Sequence, residues 1–110
     1  MSSSLFNLTG KSALITGSSQ GIGYALAKGL AASGAKIILN GRDRTKLQAA
    51  ADNISTTGAD VQTLGFDATD HDAVRAAVDG FEDTSGTIDI LVNNAGMQHR
   101  TELENFPADA

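Results

Sequence analysis

The sequence predicts an α/β fold, a doubly wound parallel sheet in the order βαβαβαβ with helices on both faces. Short apolar runs, each the size of a buried strand, alternate with longer stretches in which apolar residues recur at helical spacing. A glycine-rich turn joins the first apolar run to the first helical stretch. Strands and helices that alternate in this way form a three-layer α/β/α arrangement.

The first strand is predicted over residues 11–16, a nearly continuous apolar run typical of a strand covered on both faces. In the helix after the turn, Ile22, Leu26 and Leu30 recur every fourth residue, so we expect these side chains to pack against the sheet. Gly34 is expected to end this helix.

The later elements repeat the alternation. They are a strand over residues 36–40, a helix over 43–57, a strand over 61–66, a helix over 69–85 and a strand over 89–93. Thr69 and Asp72 have the spacing of a capping box at the start of the third helix. Pro107 is placed as the first-turn residue of another helix, so the fold is expected to be incomplete.

Composition and charge restrict the class of partner. A net charge of −5 without a basic block argues against nucleic acid and acidic membranes, and favours a small molecule. The chain has no cysteine and no apolar stretch of transmembrane length, which predicts a cytoplasmic protein. The two histidines, His71 and His99, are not clustered with carboxylates, so no metal site is expected.

The glycine-rich turn is the main candidate site. Its glycines are spaced G-x-x-x-G-x-G, where missing Cβ atoms allow a sharp turn and the close approach of a pyrophosphate to a helix N-terminus. The serine hydroxyls are expected to meet phosphate oxygens, and the isoleucine side chain to anchor the turn in the core. The alternative is an ordinary strand–helix turn. The predicted pyrophosphate site comprises Gly17, Ser18, Ser19, Gln20, Gly21, Ile22 and Gly23.

A second glycine pattern is rejected. Gly10-Lys11-Ser12 resembles the end of a phosphate-binding P-loop, but that motif needs a glycine where Leu5 stands. It also needs a strand before the loop, whereas here the strand follows.

Arg42 comes after the second strand. Its separation along the chain from the glycine-rich turn is close to the roughly 20 residues at which a dinucleotide fold places the residue that contacts the adenosine ribose. An acidic residue there would bind a 2′-hydroxyl, whereas arginine suits a 2′-phosphate. With Gly41 before it, the guanidinium is expected to reach the phosphate without a competing carboxylate. The alternative is a solvated Arg42 paired with Asp43.

Three motifs, each after a predicted strand, resemble those of the short-chain dehydrogenase/reductase family. They are Thr16-Gly-Ser-Ser-Gln-Gly-Ile-Gly23, Asp67 and Asn93-Asn-Ala-Gly96. The resemblance implies a Rossmann-type fold of which residues 1–110 are the N-terminal part of a single dinucleotide-binding domain. Within the family, residues 5–11 and 93–100 are most similar to the gluconate 5-dehydrogenase type and the 3-oxoacyl carrier-protein reductases.

The resemblance also implies roles for individual residues. Asp67 and Ala68 are expected to meet the adenine ring, the alternative for Asp67 being a helix N-terminal carboxylate stabilised by the dipole. Asn94 is expected to contact ribose. The small residues Ala95 and Gly96 are expected to let the main chain lie close to the ribose on the nicotinamide side.

The implied cofactor is NADP, with NAD as the alternative. NAD-using relatives have aspartate where Gly41 stands, which favours NADP. Some NADP-using relatives carry a basic residue where this chain has the uncharged Gln20, which argues the other way.

The implied activity is hydride transfer between nicotinamide and a carbonyl or alcohol carbon, with a polyol, sugar acid or oxoacyl compound as substrate. Arg100 is a candidate for a substrate carboxylate, or else a solvated loop cation. Tyr24 and Lys28 spell the family's Y-x-x-x-K signature but lie on the first helix, whereas the family's catalytic pair follows a fifth strand. No catalytic residue is therefore assigned, and the chain alone is expected to be inactive.

Two alternatives remain for the function, a non-catalytic dinucleotide-binding fragment and a half-domain that assembles with another chain. A homo-oligomer is expected in either case, because the last strand and the missing covering helices would leave apolar surface open.

Overall fold

A computed structural model describes residues 7–95. The elements are β1 (Ser12–Ile15), α1 (Gly21–Ala32), β2 (Lys36–Gly41), α2 (Arg44–Ser55), β3 (Val61–Gly65), α3 (His71–Ser85) and β4 (Ile90–Val92). All four strands are parallel, in the order β3-β2-β1-β4. This is the arrangement of a Rossmann-type sheet, as predicted.

The helices divide between the two faces of the sheet. Ala13 and Ile15 of β1 lie in one buried cluster with residues of α1 and α2, whereas Leu14 lies on the opposite face with Phe81 of α3. Because successive strand residues point to opposite faces, β1 and β2 are buried on both sides, as their apolar runs predicted.

The residues of α1 that face the sheet are not the predicted ones. Ile22 is 64% exposed and Leu26 37% exposed. The buried residues of α1 are Gly23, which lies on the glycine-rich turn, and Ala27, which packs against the sheet. Small residues on this side let the helix approach β1 closely. The expectation that the large apolar residues form the packing face is wrong for Ile22 and Leu26.

Helix ends follow their local chemistry. Gly34 and Gly86 take the positive φ values that end α1 and α3. The Thr69–Asp72 capping box is wrong, because Asp70 is the N-cap of α3 and its Oδ1 accepts from the main-chain N–H groups of Asp72 and Ala73. The predicted helix at Pro107 lies outside the described residues.

The crossovers of this sheet create a switch point. The chain leaves β1 towards the face of α1 and α2, while β4, on the other side of β1, is reached through α3 on the opposite face. In open α/β sheets, ligands bind outside the carboxyl ends of the strands where the order reverses in this way. The glycine-rich turn after β1 and the segment after β4 both lie at this edge.

Candidate dinucleotide-binding site

Two different constraints favour glycine at the three turn positions. Gly17 and Gly21 have φ values of +60° and +67°, which residues with a Cβ rarely adopt. A Cβ on Gly23 would collide with the main-chain oxygen of Gly17 and lie 2.6 Å from Nδ2 of Asn94. Gly23 therefore lets the start of α1 lie directly on the turn that precedes it.

The N-terminus of α1 differs from those of the other helices described. Asp43 caps α2 and Asp70 caps α3, each through a side-chain oxygen. Gln20 makes no such hydrogen bond at the start of α1, and no acidic residue lies in its first turn. The space around the missing Cβ of Gly21 is open within 4 Å. The turn thus leaves room for an external anion at the positive end of the helix.

Two side chains of the turn do not take the predicted positions. Ser18 is fully buried, and its Oγ donates to the Ile15 oxygen at 2.6 Å and accepts from the Asn40 N–H at 2.9 Å. The expectation that this hydroxyl meets a phosphate is wrong, because it is held inside the protein. The exposed Ile22 does not anchor the turn; Gly23 takes the inward position. Ser19 is half-buried, and Gln20 is exposed at the rim.

The segment after β4 is tied to the turn rather than open to a ligand. Asn94 is buried, and its Nδ2 donates to the Gly17 oxygen at 3.0 Å. The Thr16 hydroxyl accepts from the Ala95 N–H at 3.1 Å. The expected contact between the Asn94 amide and ribose does not fit this geometry, since the amide is directed into the turn.

Arg42 and Asp67 lie side by side at the ends of β2 and β3. Their closest charged atoms, Nη1 and Oδ2, are 3.6 Å apart, and the Arg42 side chain is 74% exposed. Asp43 is not its partner, because the Asp43 carboxylate accepts from Thr45 and Lys46. The expectation that no carboxylate competes for Arg42 is also wrong: Gly41 removes one at its own position, but Asp67 supplies another.

The Asp67 carboxylate is fixed by its own loop. Its Oδ1 accepts from the Thr69 hydroxyl at 2.6 Å and from the Thr69 N–H at 2.9 Å. The hydroxyl and N–H hydrogen bonds from Thr69 are the main causes that lower the pKa of Asp67; desolvation opposes them, and the charge of Arg42 makes a smaller lowering contribution. The carboxylate is therefore ionised at neutral pH and ready to accept a hydrogen bond. Ala68, beside it, is half-buried.

Asn40 is a site residue that the sequence analysis missed. It is buried at the end of β2, and its side chain bonds to the turn after β1 and to the end of β3. A signal was available, since a polar amide ends an otherwise apolar run and buried amides need hydrogen-bond partners.

Tyr24 and Lys28 lie away from the carboxyl ends of the strands, where the glycine-rich turn lies. Both line a cleft of about 970 Å³ between the C-terminal parts of α1 and α2, at the amino ends of the strands. The Lys28 ammonium lies 5.4 Å from the centre of the Tyr24 ring. The Y-x-x-x-K pair thus lies on α1, the first helix, apart from the glycine-rich turn.

Two of the predicted site residues lie outside residues 7–95. Gly96 and Arg100 lie beyond residue 95, so their predicted roles beside ribose and substrate are not described by the structure. Between residues 7 and 95, no group of three or more potential metal ligands occurs. Within the same range, no helix is long and apolar enough to cross a membrane.

Comparisons with known proteins find relatives over most of the chain. Residues 11–110 match the family described as short chain dehydrogenase. The chain is 50% identical over 102 residues to gluconate 5-dehydrogenase of Gluconobacter oxydans, covering 93% of this chain and 40% of that protein. The chain thus spans about 40% of the length of such relatives.

Solved structures give the same match. Gluconate 5-dehydrogenase from Burkholderia cenocepacia, in complex with NADP and tartrate, is 46% identical with a TM-score of 0.77, covering 86% of this chain and 37% of that one. L-sorbose reductase from Gluconobacter frateurii, complexed with NADPH and L-sorbose, is 41% identical with a TM-score of 0.76, covering 83% and 35%.

Proposed function

Because this chain belongs to the short-chain dehydrogenase family, we propose that it supplies the NADP-binding part of an oxidoreductase acting on a carbonyl or alcohol. The observation that carries the proposal is the glycine-rich turn at the uncapped start of α1, placed at the switch point of the sheet. The space beside Gly21 is open, and both Gly17 and Gly21 have positive φ values. A side chain at these positions would occupy the open space or strain the main chain.

The pyrophosphate, the 2′-phosphate and the adenine of the cofactor each have a candidate partner at this edge. The main-chain N–H groups of the turn and of α1 bind the pyrophosphate. Arg42 binds the 2′-phosphate, and the ionised Asp67 carboxylate accepts from the adenine amino group, with the Ala68 N–H beside it. When bound, the cofactor supplies or accepts a hydride at its nicotinamide ring. The residues of this chain bind and orient it.

The preference for NADP over NAD depends on Arg42. Asp67 lies within 3.6 Å of its guanidinium, but the pair is largely solvent-exposed and therefore weak. A doubly charged phosphate with several acceptor oxygens can displace one exposed carboxylate from arginine. Relatives whose structures contain NADP or NADPH support this choice.

The substrate is proposed to be a sugar acid or a related polyol, by similarity to relatives named for gluconate and 5-ketogluconate. Arg100 is the candidate partner of a substrate carboxylate. No catalytic residue is assigned to residues 1–110, which we propose form the N-terminal part of one dinucleotide-binding domain. We also propose that the protein is a cytoplasmic homo-oligomer.

A thermal-shift experiment on the 110-residue chain tests the cofactor proposal. A ligand that binds only the folded state at 100 times its Kd adds about 2.7 kcal/mol to the free energy of unfolding. NADPH should therefore raise the Tm clearly, and NADH less at equal concentration. The same sample should show no turnover of 5-ketogluconate with NADPH. No shift with either nucleotide would overturn the proposed site.

A further inference from the structure

Asn40 presents a buried amide with all its polar atoms in use. The residue is 1% exposed. Its Oδ1 accepts from the Gly17 N–H at 2.9 Å, and its Nδ2 donates to the oxygens of Leu64 at 3.0 Å and Phe66 at 3.1 Å. A flipped amide would set Nδ2 against the Gly17 N–H and Oδ1 against two carbonyl oxygens, so these neighbours fix its orientation.

The main chain of Asn40 strengthens the same connection. Its N–H donates to the Ser18 Oγ at 2.9 Å, and its carbonyl oxygen accepts from the Ser18 N–H at 2.8 Å. Ser18 in turn donates to the Ile15 oxygen. The end of β2 and the glycine-rich turn are thus joined by bonds that water does not reach.

These contacts reach each segment assigned to the adenosine end of the cofactor. Gly17 lies in the pyrophosphate turn. Asn40 itself is followed by Gly41 and Arg42, the 2′-phosphate segment. Phe66 is directly followed by Asp67, the adenine segment. One side chain therefore sets the distance from the turn to the other two segments.

On the basis of the proposed function, we propose that Asn40 is a positioning residue that holds the pyrophosphate, 2′-phosphate and adenine segments in one preformed arrangement. It touches no ligand itself. Only a neutral group with one acceptor and two donors satisfies Gly17, Leu64 and Phe66 together. An apolar or charged group of similar size leaves at least one of them without its partner.

The N40D variant separates positioning from simple stability. At high pH its carboxylate still accepts from the Gly17 N–H but faces the Leu64 and Phe66 oxygens, so the adenine segment is pushed away. Burial and these oxygens raise the pKa of the new carboxyl. Once protonated, it donates to one of the two oxygens, and the arrangement recovers in part.

Calorimetry of the 110-residue chain with NADPH between pH 8 and pH 5.5 provides the readout. We expect N40D to bind about 10- to 100-fold more weakly than the unchanged chain at pH 8. This ratio should shrink as the pH falls. N53D, which adds the same charge at an exposed position of α2, should match the unchanged chain throughout. An N40D that keeps its circular dichroism and binds equally well at pH 8, or whose affinity does not recover in acid, overturns the proposal.

A measurement on the unchanged chain covers the case in which N40D does not fold. The Gly17 amide hydrogen should exchange with solvent far more slowly than that of the exposed Gly21, because Asn40 accepts from it. Equal exchange at Gly17 and Gly21 would overturn the positioning role even if NADPH binds. Protection of Gly17 in a chain that binds neither NADPH nor NADH would instead overturn the proposed function alone.

Discussion

Replacing Gly23 with alanine tests the close packing of α1 on the glycine-rich turn. The added Cβ would collide with the Gly17 oxygen, lie 2.6 Å from Nδ2 of Asn94 and 3.0 Å from Cα of Ser18. Two of these neighbours are main-chain atoms, and the third is an amide that donates to Gly17 at 3.0 Å. The two main-chain atoms cannot rotate away, and the buried Asn94 amide is held by its hydrogen bond, so the turn itself must move.

The magnitude follows from three effects. Overpacking a tight site costs about 1–3 kcal/mol. Loss of the Asn94–Gly17 hydrogen bond costs about 1 kcal/mol. The higher helix propensity of alanine offsets about 1 kcal/mol. The net loss of unfolding free energy is about 1–3 kcal/mol, and each kcal/mol lowers the Tm of a domain this size by about 4–8 °C.

G29A provides a matched control on the same helix. A Cβ at Gly29 meets no atom within 4 Å, so only helix propensity acts there and stability should rise by up to about 1 kcal/mol. Thermal unfolding followed by circular dichroism measures both variants, and the NADPH-induced shift should shrink in G23A alone. If G23A melts at or above the temperature of the unchanged chain, the close-packing argument is refuted.

Three further changes address charge, protonation and assembly. R42A should weaken NADPH binding about 10- to 100-fold while leaving NADH unchanged, with R44A as the control in calorimetry; equal loss for both nucleotides would remove Arg42 from the 2′-phosphate role. T69V should raise the pKa of Asp67 in an NMR titration. Because its folded-state pKa is lowered, the ionised Asp67 stabilises the fold above its unfolded-state pKa, and this stabilisation is lost as the pH falls through the folded-state pKa. The free energy of unfolding of T69V should therefore fall less over that acid range than that of the unchanged chain. An unchanged Asp67 pKa in T69V would contradict the role of Thr69. L91E should reduce self-association in sedimentation, because Leu91 is a 53% exposed apolar residue on β4, which pairs only with β1 among the described residues; undiminished association would exclude this strand as the contact.

The sequence predicted the strands, their order along the chain and the segments that meet at one edge of the sheet. Strand periodicity and the glycines are local signals, so this much can be inferred from the sequence. The roles of Ser18, Ile22 and Asn94 could not, because each depends on which neighbour lies across the turn. Ser18 hydrogen-bonds to Asn40 at the end of β2, and Asn94 hydrogen-bonds to Gly17 after β1. Ile22 turns outward because Gly23 must face the turn.

The same dependence on neighbouring strands applies to Gly17, which links the turn to both sides of β1. Its N–H donates to Asn40 at the end of β2, and its oxygen accepts from Asn94 after β4. β2 and β4 flank β1 on opposite sides, so one residue of the turn is held through its N–H and its carbonyl oxygen by buried amides from both neighbouring strands. Only the order β2-β1-β4 brings these amides together. The shape of the glycine-rich turn therefore depends on the sheet order as well as on its own residues.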